Sequence, residues 1–189
     1  MMPEAPPEAP QEHKILFTGT MGAGKTTAIA AVSGIKMVKT EAANTDRALF
    51  NKATTTVGFD YGEVSLDGGH VLRLYGTPGQ QRFSFLWKIV AKGAIGVIIL
   101  VDNSRPAPFE DLAVYLDSFK QFVDIGGVVI AVGRTESHQR PSIDDYYHYL
   151  AKRDLMLPVF AVDVRKSEDV LMVLDVLFNM LEVSDAESV

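Results

Sequence analysis

The sequence predicts an α/β fold: a six-stranded, mostly parallel sheet with one antiparallel strand and helices on both faces. Three observations lead there. Apolar segments alternate along the chain with stretches of helical periodicity, the pattern of βα units. Two of those segments, Ile95–Val101 and Val128–Val132, are unbroken apolar runs, as strands buried on both faces require. Between Val57–Leu66 and Val71–Tyr75, Asp67-Gly68-Gly69 supplies the positive-φ residues of a hairpin, which turns one strand antiparallel.

The elements follow in order. Ile15–Phe17 is a short strand ending in Thr18-Gly19, and Lys25–Ser33 a helix stopped by Gly34. Gly34–Thr55 is polar and weakly patterned, a loop long enough to be functional. After the hairpin, Gln80–Lys92 carries Phe83, Leu86, Trp87 and Val90 at i, i+3, i+4, i+7, one helical face. Glu110–Val123 is a further helix. Ser142 and Asp145 form a capping box that opens a short helix to Leu150. Pro158–Val162 is the last strand. Ser167 caps a final helix whose Val170, Val173, Leu174 and Leu177 line one face. A Pro-rich tail (1–13), one domain (14–182) and an acidic C-terminal tail (183–189) account for the chain.

Composition narrows the function classes. The 189 residues fit about one domain at ~150 residues each. The absence of cysteine excludes a disulfide framework, a Cys-ligated zinc site and a thiol nucleophile. A net charge of −6 gives no general affinity for nucleic acid or anionic membranes. No apolar stretch approaches the ~20 residues of a membrane span, and no signal peptide or lipidation motif is present, so a cytoplasmic protein without a built-in membrane anchor is expected.

Gly19-Thr20-Met21-Gly22-Ala23-Gly24-Lys25-Thr26 matches G-x-x-x-x-G-K-[ST] at every fixed position, after a strand and at the start of a helix. Glycines let backbone N–H groups converge on phosphate oxygens without Cβ clashes. The helix N-terminus adds its positive dipole end. Lys25 places a point charge on the β- and γ-phosphates, and the Thr26 hydroxyl ligates Mg²⁺. The expected nucleotide-binding residues here are Gly19, Met21, Gly22, Ala23, Gly24, Lys25, Thr26 and Thr27.

Further motifs carry a family resemblance over roughly residues 14–182. Thr56-Val57-Gly58-Phe59-Asp60 resembles the switch I segment of Ras-like small GTPases, and Gly76-Thr77-Pro78-Gly79-Gln80-Gln81-Arg82-Phe83 resembles the switch II motif D-x-x-G-Q-E-R-F. The Thr-Pro-Gly-Gln wording and Val101–Pro106 are similar to bacterial Ras-like GTPases of the MglA type, which usually work with roadblock-fold partners. The resemblance implies a G domain that binds GTP and GDP with Mg²⁺. Thr26 and Thr56 would hold the metal, the Gly79 N–H would touch the γ-phosphate, and Gln80 would orient the attacking water. A roadblock-like or other regulatory protein at the switches is the implied partner. Phe83, Phe85 and Trp87 are candidate contacts for it, with core packing accounting for at least two of them.

The pattern also breaks. Gly76 stands where the family has the aspartate that supports the Mg²⁺ water shell; Asp102 either lends a carboxylate or caps the turn before Pro106. The base-reading N-K-x-D becomes Gly133-Arg134-Thr135-Glu136, with Glu136 in the carboxylate role and Arg134 able to stack on the base. Val162-Asp163-Val164 replaces the usual backbone clamp on guanine, leaving Val164 as its remnant. Arg47 and Arg82 either swing toward a γ-phosphate or stand as solvated charges or ion-pair partners. The leading expectation is a slow GTP/GDP switch. The rivals are a pseudo-GTPase scaffold and a P-loop NTPase with relaxed base choice.

Overall fold

The computed structural model describes residues 11–36, 38–42 and 57–187, with side chains at 11–36 and 59–183. Its elements are β1 (Glu12–Gly19), α1 (Lys25–Val32), β2 (Val38–Ala42), β3 (Val57–Ser65), β4 (Val71–Gly76), α2 (Ser84–Val90), β5 (Gly96–Asp102), α3 (Pro108–Ser118), α4 (Lys120–Asp124), β6 (Val128–Gly133), α5 (Ile143–Ala151), β7 (Val159–Val162) and α6 (Ser167–Glu187). They form one sheet in the order β2-β3-β4-β1-β5-β6-β7. β3 is antiparallel to both its neighbours, and the other pairs are parallel.

All six anticipated strands are present. The seventh, β2, lies in the stretch read as a loop, where Lys39 and Glu41 break any apolar alternation; it exists by pairing with β3. The anticipated helix Glu110–Val123 is two, parted at Phe119, whose φ of −111° leaves the helical range. β1 begins at Glu12 and α6 runs on to Glu187, each inside a segment read as tail. Ser167 opens the first turn of α6 instead of capping it, since Lys166 O accepts from Val170 N. The Ser142–Asp145 capping box is formed as expected.

Alternation along the central strands splits the core into two layers. Leu16, Val97, Ile99, Val101, Val128, Ile130 and Val132 face α2, α3, α4 and α5. Ile15, Phe17, Ile98, Leu100, Val129 and Ala131 face α1 and α6. The unbroken apolar runs are therefore strands with helices on both faces. After β1 the chain crosses to the β2 edge, returns inward through β3 and β4, and then runs outward on the other side through β5, β6 and β7, so the strand order switches at β1, beyond whose carboxyl end such folds bind ligands. The loop after β1 is the glycine-rich motif.

Candidate functional site

Three glycines in this loop hold conformations open to glycine: Gly19 (φ +142°), Gly22 (φ +82°) and Gly24 (φ +100°). Gly19 is also sterically closed, since a Cβ there would lie 2.2 Å from Leu100 O. Gly24 caps α1 in the left-handed region, and its missing Cβ makes room for Val164 Cγ2, 2.8 Å from where that atom would be. The β7–α6 loop thus packs on the phosphate loop through Val164. Within the loop the Ala23 N–H turns back to Thr20 O at 3.2 Å, so of the expected phosphate donors this one is spent on the turn.

Lys25 is only 8% exposed and donates from Nζ to Gly19 O and Thr20 O, both at 2.7 Å. Burial draws its ammonium down to about 8, opposed by the charge of Asp60. Gly79 lies against the same spot: a Cβ on it would be 2.5 Å from Met21 N and 2.8 Å from Lys25 Nζ. The Gly76–Gln80 stretch is pinned there. Thr77 N donates to Phe17 O, Thr77 Oγ1 pairs with Thr18 Oγ1 at 2.8 Å, Trp87 Nε1 donates to Pro78 O at 2.8 Å, and the Tyr115 hydroxyl reaches Gly79 O at 3.4 Å. Trp87 is therefore a buried anchor, stacked on Tyr115 and Phe119, and is withdrawn from the expected partner contacts. Phe83 is half-buried, while Phe85 (48%) and Ile89 (59%) stand exposed. Gln80 Nε2 rests on Met21 Sδ at 3.5 Å. Arg82 is exposed and lies over the Phe83 ring, and Thr27 is exposed. Thr56 and Arg47 fall outside the described residues.

A carboxylate does stand at the Thr26 hydroxyl, and it is Asp60. Thr26 Oγ1 donates to Asp60 Oδ2 at 2.5 Å. Sequence alone gives Asp60 no role, because its place beside Thr26 follows from the β3–β4 register. Asp102 takes the other alternative, capping its turn by accepting from Ser104 N (3.0 Å) and Ser104 Oγ (2.6 Å). The donor set fits Mg²⁺, a hard ion that takes one or two protein oxygens plus water and phosphate. Among the described residues no group of three or more His, Asp or Glu forms a self-contained metal cage.

On the base side, Arg134 (φ +63°) bridges two loops. It donates to Gly22 O at 3.1 Å and Ser104 Oγ at 3.2 Å, and its Nη1 lies 3.3 Å from the buried Asp102 carboxylate. Its guanidinium is thus tied to the phosphate loop rather than held out to stack. Glu136 is exposed, and its charge reaches Arg165, which is bound to Asp163 from Nε and Nη2. The arginine holds the Asp163 carboxyl down at about 2. A buried pair that sequence reasoning missed, Asn103 and Tyr146, fixes this loop: Asn103 Nδ2 donates to His138 O and Pro141 O, and Asn103 Oδ1 accepts from the Tyr146 hydroxyl at 2.7 Å.

Comparison with known proteins bears on the fold and its relatives. A family model described as a conserved hypothetical ATP binding protein matches residues 34–118. The Ras-related protein RabC of Dictyostelium discoideum is 23% identical over 179 residues, 91% of this chain and 85% of RabC. The Ras-related protein RABA1b of Arabidopsis thaliana is 28% identical over 121 residues, 64% of this chain; the match spans about half (51%) of that relative. The G domain of the T. maritima FeoB iron transporter superposes with a TM-score of 0.60 at 17% identity, covering 93% of this chain and 99% of that one. The chain has the α/β P-loop fold of a G domain and is homologous, at low identity, to Ras-related small GTPases.

Proposed function

We propose that this chain is a GTP/GDP-binding molecular switch, related to the MglA type, that hydrolyses GTP slowly alone and faster with a regulatory partner in the cytoplasm. The observation that carries the reading is the convergence of Lys25, the Met21 N–H and Gly79 on one point, where a γ-phosphate of a nucleotide on this loop would report to the Gly76–Gln80 segment. Lys25 would exchange its two loop carbonyls for phosphate oxygens. A bound Mg²⁺ would neutralise phosphate charge, held by Thr26 and, in the triphosphate state, Thr56. Gln80 would orient the water once its amide leaves the Met21 thioether, a weak acceptor. Without an arginine supplied by a partner, the basal rate on this reading is no faster than the intrinsic Ras rate of order 10⁻⁴ s⁻¹. The exposed Phe85 and Ile89 on α2 offer apolar surface to a roadblock-like partner.

A second reading, relaxed base choice, is favoured by one observation: Glu136 is exposed beside Arg165, and Arg134 is committed to Gly22 and Asp102. Calorimetric titration of GDP, GTP and ATP, with and without Mg²⁺, separates the two. Guanine nucleotides binding at least tenfold tighter than ATP support the switch, and equal affinities support relaxed choice. Single-turnover phosphate release with Gln80→Leu tests turnover. A rate below wild type at unchanged GTP affinity places Gln80 in the transition state. Equal rates, with and without partner, make the protein a scaffold.

A further inference from the structure

Position 76 ends β4 and is a glycine with no positive φ to demand one. Space explains it. Asp60 of β3 is its direct cross-strand partner, and a Cβ on Gly76 would lie 3.0 Å from Asp60 Cβ, 3.2 Å from Asp60 Oδ2 and 3.3 Å from Ile29 Cδ1. Directly opposed Cβ atoms normally sit ~4.5–5.5 Å apart, so Asp60 leans into the room that a side chain at 76 would occupy. Its carboxylate then meets the hydroxyl of Thr26, the second residue of α1.

The hydrogen bond has a direction that matters. A hydroxyl carries one donor and two acceptor lone pairs. With its proton given to Asp60, Thr26 Oγ1 keeps its lone pairs for another partner, the state in which a hydroxyl ligates a cation. The Asp60 carboxylate has a second oxygen able to accept from a metal-bound water, and Mg²⁺ keeps several of its waters.

Resting on the nucleotide-switch reading, we infer that Asp60 is the metal-supporting carboxylate of this protein, supplied across the β3–β4 pair into the place left by Gly76. It is a positioning residue: it orients Thr26 and the metal's water without contacting the nucleotide. Loss of an outer-shell partner of this kind weakens metal binding by about 10–100-fold. Asp60 and Gly76 are then one unit, and the carboxylate can be moved from one strand to the other.

The test is the dissociation rate of a fluorescent GDP analogue, titrated with Mg²⁺ and with EDTA, for wild type, Asp60→Asn, Asp60→Ala, Gly76→Asp and Asp60→Ala/Gly76→Asp. In wild type, Mg²⁺ slows release. Asp60→Asn and Asp60→Ala require about 10–100-fold more Mg²⁺ for the same slowing, with release in EDTA unchanged. Gly76→Asp alone gains nothing, because two carboxylates compete for one space. The double variant returns toward the wild-type Mg²⁺ requirement, which a merely structural role for Asp60 does not predict. A wild-type Mg²⁺ midpoint in Asp60→Asn, or a folded double variant no better than Asp60→Ala, overturns the assignment and leaves the switch reading standing. Absence of nucleotide binding in wild type overturns both.

Discussion

On the expected phosphate side, between Gly19 and Thr26, the site is main chain, one buried cation and the hydroxyls of Thr20 and Thr26; on the expected base side, between Arg134 and Val164, it is side chains on two loops. The first is shaped by steric closure. Gly19 is blocked by Leu100 O, Gly24 by Val164, and Gly79 by Met21 and Lys25. Little can be substituted there without moving backbone. The second is held by replaceable pairs: Arg134 with Asp102, Arg165 with Asp163, and Asn103 with Tyr146. Phosphate is the same in every nucleotide and suits backbone donors, whereas bases differ and call for side chains; on the nucleotide-switch reading the two regions divide in that way. The departures from the Ras-like pattern at the nucleobase therefore gather where backbone is not at stake. The metal-side departure, Gly76, keeps its backbone path and relocates only a carboxylate.

The comparison breaks most decisively at Lys25. Lys25→Ala should cost about 2–5 kcal/mol of nucleotide binding, because several phosphate charges lose their one buried cation. Titration with GDP reads this directly, and an unchanged affinity would dismantle the phosphate side of the argument.

Tyr146→Phe probes the opposite side. It strands Asn103 Oδ1 in the core and should lower unfolding free energy by about 1–3 kcal/mol in urea, while leaving pyrophosphate binding as in wild type. A simultaneous loss of pyrophosphate affinity would show that the two sides are one mechanical unit.

Proton linkage sharpens the phosphate side further. In the free chain the Lys25 ammonium is drawn down to about 8, and phosphate oxygens raise it again. Binding then takes up a proton above that pH. Affinity is flat below about pH 8 and falls on the alkaline side by up to about tenfold per pH unit. Calorimetry in two buffers of different ionisation enthalpy measures the uptake. A constant affinity from about pH 7 to 9.5 would contradict it.

The smallest effect is on base choice. Gly133→Asn with Glu136→Asp should raise the GTP-to-ATP affinity ratio by roughly tenfold, one properly placed pair of hydrogen bonds. No gain would mean that the Gly133–Glu136 loop does not meet the base.

Periodicity and turn chemistry are local, and what they govern was legible in the sequence. The six core strands, the hairpin at Asp67–Gly69, the capping box at Ser142 and the glycine-rich loop all stand where the residues place them. What escaped depends on register. β2 has no apolar alternation and is defined by its partner. Asp60 and Gly76 are 16 positions apart and become one feature only when β3 pairs with β4. Asn103 and Tyr146 meet across 43 positions. Arg134 was legible as a residue of the site but not in its direction, since its reach to Gly22 O follows from a left-handed backbone that sequence does not announce.

Trp87 is the sole tryptophan of the chain, and its indole is stacked on Tyr115 while its N–H is fastened to Pro78 O. One indole is thus fastened directly to the Gly76–Gln80 segment, and no label is required to follow that segment in time. Emission wavelength and quenching report the indole's burial and its hydrogen bond. On the nucleotide-switch reading, a stopped-flow trace of unmodified protein mixed with nucleotide reads any change at that segment as a shift in indole emission.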